Sequence, residues 1–279
     1  MRSIPILLLL LSAPISPCRT GNSGTAAGSL FAQAASQALA REFPDPDISY
    51  LLFDARTGAL IASSWEHPDI PIPLGSLAKP FAALAYGERH AFRYPAHRCR
   101  GTGSGCWRPG GHGDVDLTSA IAFSCNSYFR MLTSNLSSAD MWPVAARFGL
   151  DPPDATTHAA ALAGLGPEWK ISPLRMAVAY LGIVHHRDEP GVASIIDGME
   201  QSAREGTGAE VDRSLAVPNA LAKTGTAECT HARHAPGDGF TVALAPAQNP
   251  KLLIMVRVHG IPGAKAAKTA GQMLRTIGS

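Results

Sequence analysis

A chain of 279 residues with 46% apolar composition can bury a substantial core, in one large domain or two small ones. Charged residues make up 16%, below the roughly 25% usual for soluble domains, and 24 Lys and Arg nearly balance 22 Asp and Glu, for a net charge of +2. No run of five basic residues occurs, which argues against a nucleic-acid partner, because phosphate binding depends on clustered Lys and Arg.

Arg2 precedes the twelve-residue apolar run IPILLLLLSAPI. That run is too short to cross a bilayer core of roughly 30 Å as a helix, and it suits a secretory signal peptide over residues 1–18. Export to the periplasm or cell envelope is the expectation. ISPC, ending at Cys18, admits two outcomes: plain cleavage, or a lipid anchor on Cys18 as the sole membrane attachment. Pro17 stands where a lipoprotein cleavage box has a small residue. Residues 19–28, RTGNSGTAAG, are small and polar and read as a linker into one domain over residues 29–279.

Ser29 is placed to cap a helix through about Glu42, which FPDPD must end. ISYLLFDARTGALIASS gives two β-rich runs around Ala55-Arg56-Thr57-Gly58, a hairpin signal. From about Ser76 to Glu205 the pattern is mostly helical, broken by a Gly-rich loop at 100–113 and a Pro-rich turn at 151–153. Within it Ser172 is a natural N-cap, and Pro173 suits the first helical position. Strand patterns return at 219–226, 240–245 and 252–258, before a last helix over 263–277. This order packs most economically as an α/β (α+β) domain. Its expected form is a five-stranded, mainly antiparallel sheet, with the terminal helices on one face and the helical insert on the other.

Cys99 and Cys106 flank CRGTGSGC, whose glycines and serines bend easily enough for a local disulfide. Cys125 falls in a helical pattern and reads as a small buried apolar residue.

Three short motifs carry chemistry. In PLGSLAKPF, Ser76 and Lys79 lie three residues apart, hence on one face of a helix. Pro80 is tolerated only in a first helical turn, so the helix begins near Ser76 and offers its partial positive charge to that hydroxyl. About one such Ser-x-x-Lys match is expected by chance in a chain this long, and alone it reads better as a helix N-cap with an exposed lysine. FSCNSYF supplies Ser124 and Asn126 at the end of a helical run, again a chance-level match. Lys223-Thr224-Gly225 is the rarer signal. On a strand Lys223 and Gly225 share a face, and the glycine leaves room for a substrate beside the ammonium.

Each motif occurs once, in the order Ser-x-x-Lys, Ser-x-Asn, Lys-Thr-Gly, and each falls on the element its chemistry requires. Together they resemble the penicillin-binding protein transpeptidases and the related serine β-lactamases. The resemblance runs from about Ile48 to Gly260. It takes in LLFDARTGALIA, GCWRPGGHGDVDLTSAIAFSCNSYF, WKISPLRMAVAYLGI and AKTGTAE with the strands that follow.

The resemblance implies acyl transfer on peptidoglycan stem peptides ending in D-Ala-D-Ala, with β-lactam antibiotics as mimics that acylate the same serine. Ser76 would be the nucleophile and Lys79 its general base; Ser124 would relay a proton to the departing D-Ala, held by Lys223. Thr224 and Thr226 would bind the substrate carboxylate beside Gly225, Asn126 would bind the substrate backbone, and the N–H groups of Ser76 and Thr226 would form the oxyanion hole. Cell-envelope protein partners are expected, and no cofactor is implied. The larger relatives carry a membrane helix and a further domain, whereas here the signal segment leads almost directly into the catalytic fold. That leaves strand crosslinking, trimming and antibiotic sensing open, beside β-lactam hydrolysis, for which no glutamate or carbamylated-lysine environment stands out.

No residue is assigned to a metal. Cys229, His231 and His234 have the residue types of a transition-metal clamp, but they follow the Lys-Thr-Gly strand on a loop, where histidines are most often solvated.

Overall fold

The computed structural model describes residues 23–229 and 237–278. The expected signal segment with Cys18, and the histidines His231 and His234, lie outside the described residues.

Helix α1 (Ser23–Glu42) leads into a hairpin of β1 (Ile48–Asp54) and β2 (Leu60–Ser63). It starts ahead of the predicted cap at Ser29. Gly24 and Gly28 cost only about 1 kcal/mol each in a helix, too little to stop it at Ala26-Ala27. At the hairpin Asp54 Oδ1 accepts the N–H groups of Arg56 (2.9 Å) and Thr57 (3.0 Å), and Gly58 takes a left-handed φ of 73°.

The insert follows as β3 (Ile72–Pro73), a 3-10 turn (Gly75–Ala78), α2 (Lys79–Arg89), β4 (His97–Cys99) and β5 (Gly113–Val115). It continues through α3 (Leu117–Ala122), α4 (Asn126–Thr133), α5 (Ser138–Phe148), β6 (Lys170–Ile171), α6 (Pro173–His185), α7 (Val192–Glu205) and α8 (Ala209–Ser214). Ser172 caps α6 as expected, its side chain accepting the N–H of Arg175. β7 (Leu221–Ala227), β8 (Asp238–Ala245), β9 (Leu252–His259) and α9 (Gly263–Thr276) complete the chain.

Five strands form one sheet in the order β2-β1-β9-β8-β7, every neighbouring pair antiparallel. The period-two alternation sorts its side chains into two cores. Tyr50, Leu52, Ile254 and Val256 meet Leu39 of α1 and Met273 and Leu274 of α9. Leu51, Phe53, Leu253 and Met255 face the insert. The terminal helices and most of the insert thus cover opposite faces, as the element order predicts; the exception is α8, whose Val211 joins Met273 and Leu274 in the core under the terminal helices. Two short ladders, β3 with β6 and β4 with β5, were not expected in the insert. Strands of two or three residues carry no periodicity of their own, so only their tertiary setting selects them.

α2 is the buried centre of the insert. Phe81 meets Phe148 of α5 and Tyr180 of α6 edge-on, with ring centroids 5.6 and 5.5 Å apart, and the Tyr180 hydroxyl donates to the Leu77 carbonyl at 2.9 Å. Phe81→Ala is therefore expected to cost about 3–5 kcal/mol of stability in urea unfolding; a loss below about 1 kcal/mol would contradict this packing.

Candidate active site

Ser76 sits in the 3-10 turn, and the α-helix proper starts three residues later than its expected origin near Ser76. Pro80 supplies the reason. Having no N–H, it cannot bond to the Ser76 carbonyl four residues back, and the N–H of Lys79 takes that carbonyl in the tighter 3-10 pattern. The turn sets Ser76 at the cleft while α2 carries the Lys79 side chain inward.

Ser124 lies in the three-residue break between α3 and α4, at a φ of 50°, a left-handed conformation that costs a non-glycine residue roughly 1–2 kcal/mol. The break is held from both sides. Asp116 and Ser119 form a capping box at the start of α3, and the indole N–H of Trp107 donates to the carbonyls of Phe123 (3.3 Å) and Ser124 (3.2 Å).

Two lysines converge on this turn. Lys79 Nζ donates to Asn126 Oδ1 (2.6 Å), the Ser124 carbonyl (2.8 Å) and Ser124 Oγ (3.2 Å). Lys223 Nζ, from β7, donates to Ser124 Oγ at 3.0 Å and to the Thr224 carbonyl at 2.8 Å. Both lysines are fully buried. Burial brings the Lys79 pKa down to about 7, against the opposing pull of the Cys125 and Cys106 thiols. Lys223 is held well below the usual lysine range by burial first and by Lys79 second.

Backbones meet closely around Ser76. A Cβ on Gly75, whose φ is 56°, would collide with the Thr226 backbone, and one on Gly225 would strike the Leu74 carbonyl. The turn before the serine therefore lies flat against β7. On its other side a Cβ on Gly164 would run into Gly75 itself. Ser76, Ser124, Asn126, Thr224, Gly225 and Thr226 all line one cleft of about 450 Å³, with Trp107 and Thr207 on its walls. Thr224 Oγ1 is bonded to Thr207 Oγ1 at 2.7 Å, and Thr226 Oγ1 accepts the N–H of Gly263 at 3.0 Å, leaving its own proton to donate.

The model of the penicillin binding protein transpeptidase domain matches residues 49–278. The chain belongs to that family. A comparison with curated proteins by sequence finds no match. Among solved structures the transpeptidase domain of Burkholderia pseudomallei penicillin-binding protein 3 superposes with a TM-score of 0.68 at 17% identity, covering 90% of this chain and 92% of that one. Penicillin-binding protein 2 of Helicobacter pylori, solved in complex with MreC, gives 0.74 at 16% identity, over 88% of this chain and 63% of that one. The Pseudomonas aeruginosa penicillin-binding protein 2, solved with WCK 5153, gives 0.71 at 17% identity, over 89% and 73%. At these identities the likeness establishes the transpeptidase fold.

All eight residues singled out from the three motifs border or enter the one cleft: six line it and the two lysines approach from beneath. Trp107 and Thr207 were missed. Trp107 was read only as part of a longer resemblance, and nothing local marks Thr207, which a loop after α7 brings beside Thr224.

The cysteines differ most from expectation. Cys99 and Cys106 are free thiols, and with Cys125 they gather around His112. The signal was present as C-x6-C-x5-H-x12-C, a spacing too irregular to stand out. Cys229 groups with Asp238 and His259, whose ring Nδ1 is 2.8 Å from Asp238 Oδ1.

The close approach at Gly75 can be tested against a glycine in open space. Gly58→Ala meets no atom within 4 Å and carries only the left-handed penalty, roughly 1 kcal/mol. Gly75→Ala adds a backbone collision, expected to cost about 1–3 kcal/mol more in urea unfolding; equal losses in the two variants would refute the contact.

Proposed function

We propose that this protein is a penicillin-binding serine acyl transferase acting on peptidoglycan stem peptides that end in D-Ala-D-Ala, as a D,D-transpeptidase or D,D-carboxypeptidase. The observation that carries the reading is the Ser124 hydroxyl, bonded to both buried amines in the cleft that Ser76 lines.

Ser76 Oγ attacks the carbonyl carbon of the penultimate D-Ala. Its proton goes to Lys79, which a pKa of about 7 makes neutral in much of the population near neutrality. A neutral amine keeps two N–H donors for its short contacts to Asn126 and the Ser124 carbonyl and frees a lone pair as base. The N–H groups of Ser76 and Thr226, brought side by side by Gly75, receive the oxyanion, each worth roughly 3 kcal/mol in the transition state. Collapse breaks the peptide bond, and Ser124 passes a proton to the departing D-Ala nitrogen. Water or an acceptor amine then attacks the ester on Ser76 and restores the enzyme.

Lys223, Thr224 and Thr226 hold the terminal carboxylate, and Asn126 the peptide backbone. Burial favours the neutral amine on Lys223, while a carboxylate docked beside it favours the ammonium. The positive charge is thus induced by the substrate that needs it. β-Lactams take the same route and remain as an acyl adduct on Ser76. The setting is the periplasm or cell envelope, reached through the signal segment at residues 1–18, with Cys18 as the point of any lipid anchor. Envelope proteins are the expected partners.

Two measurements decide the reading. Mixed with a fluorescent penicillin, the protein should gain the mass of one long-lived adduct, absent in Ser76→Ala, and should release D-Ala from a D-Ala-D-Ala peptide. An adduct clearing within seconds would point to β-lactam hydrolysis, and a stable adduct without peptide turnover to a sensor. A folded protein that never forms one would refute Ser76 as nucleophile. The acylation rate should also rise about tenfold per pH unit below about 7 and level off above it, because only unprotonated Lys79 accepts the proton. A rate constant between about pH 5 and about pH 8 would exclude Lys79 as the base.

A further inference from the structure

Beside the cleft, the loop from β4 to α3 and the turn of Ser124 bring together three thiols and one imidazole that acyl transfer does not use. Cys99 ends β4, Cys106 follows the 3-10 turn at Gly101–Ser104, His112 precedes β5, and Cys125 is the N-cap of α4. His112 Nδ1 lies 3.6 Å from Cys99 Sγ and 3.5 Å from Cys106 Sγ, and Cys106 Sγ lies 4.0 Å from Cys125 Sγ. All four ligand atoms fall within 4.8 Å of one another.

We propose that Cys99, Cys106, His112 and Cys125 bind a zinc ion that clamps this loop to the turn carrying Ser124 and Asn126. Tetrahedral zinc, with bonds of about 2.3 Å to sulfur and about 2.0 Å to nitrogen, requires S···S separations near 3.8 Å and S···N separations near 3.5 Å. The two S···N spacings match, and the Cys106–Cys125 separation of 4.0 Å lies close to the S···S value. A disulfide, with sulfurs about 2.05 Å apart, would use two of the thiols and leave the third and the imidazole without a role.

The donor set selects the ion. Thiolates and imidazole suit zinc, and the absence of any carboxylate from the four disfavours magnesium and calcium. Four protein ligands close the coordination shell, the form of a structural site and not of a catalytic one. The three cysteines are buried, at 2%, 5% and 0% exposure, so no solvent ligand is needed.

The surrounding backbone is built to hold them. The N–H of Cys106 is bonded to the Gly101 carbonyl at 3.0 Å, and Cys99 pairs with Gly113 across the β4–β5 ladder. Gly101 and Gly111 take left-handed φ values of 74° each, where a Cβ would strike backbone across the loop. Binding of Zn2+ displaces the thiol protons and changes no oxidation state. Because Cys125 stands between Ser124 and Asn126, the ion would pin the one turn on which both lysines converge.

The test is metal content, which is read independently of any acyl-transfer activity and so stands even if the proposed function fails. The full chain, produced and kept reduced, should carry one zinc per molecule. Cobalt exchanged into it should give thiolate charge-transfer absorption and the visible bands of a tetrahedral ion. Cys99→Ser and His112→Ala should each lose stoichiometric metal, while Cys229→Ser, in the other cluster, should keep it. Chelation should open the segment 100–112 to limited proteolysis, and zinc should close it again. Reduced wild-type protein that binds neither metal, or full metal retention in both ligand variants, would overturn the site. So would a Cys99–Cys106 disulfide in protein made without oxidant. Unchanged cleavage after removal of a stoichiometric zinc would overturn the clamp.

Discussion

One serine hydroxyl, buried and shared by two lysine amines, is the constraint around which the rest of this structure is arranged. Ser124 Oγ receives Lys79 from α2, 45 residues away in sequence, and Lys223 from β7, 99 residues away. Neither amine is given a carboxylate partner among the hydrogen bonds of the described residues. Two ammonium groups in such a place would repel each other and forgo hydration together, so the site pushes both towards neutrality. A site that disfavours charge on its amines by burial has to keep water out by packing. The aromatic cluster beneath α2 meets that need on one side and the sheet meets it on the other.

The same constraint accounts for the glycines. Bringing the turn at Ser76, the strand at Thr226 and the loop at Gly164 to within van der Waals reach leaves no volume for a Cβ at any of the contact points. Strain is placed where it is useful. The left-handed Ser124 aims its side chain at both amines, and helix caps and an indole hydrogen bond hold it there. Chemistry is thereby fixed by backbone geometry, with few degrees of freedom left to side chains.

Much of this was legible in the sequence because its signals are local. Alternation in ISYLLFDARTGALIA, the cap at Ser172-Pro173 and the position of Pro80 each follow from the chemistry of neighbouring residues, and their order was enough to sort the helices onto two faces. The three motifs were legible as a set, since each is weak and only their sequence and placement make them informative. What escaped depended on contacts between distant segments. The β3–β6 and β4–β5 ladders are too short to show a period. Thr207 reaches the cleft only through the packing of α7 against the sheet. Cys125 looked like a core residue, and by burial it is one; its nearness to Cys106 is a property of the folded loop.

The pairing of β1 with β9 carries a consequence for the order in which the molecule assembles. Ile48 is opposite Val258, and Asp54 opposite Leu252, so the first strand, paired early with β2 on one edge, finds its second partner only in the last strand. Contacts of such separation are slow to close, since the intervening chain must be confined before they reward it. The hairpin and the insert helices can form early from near neighbours, but the sheet that presents Lys223 to Ser124 cannot be completed until the C-terminal strands are made. A growing chain of this protein would therefore hold Ser76, Lys79 and Ser124 long before Lys223 is fixed in the sheet, and would bring the two amines together on Ser124 only in the last step of folding.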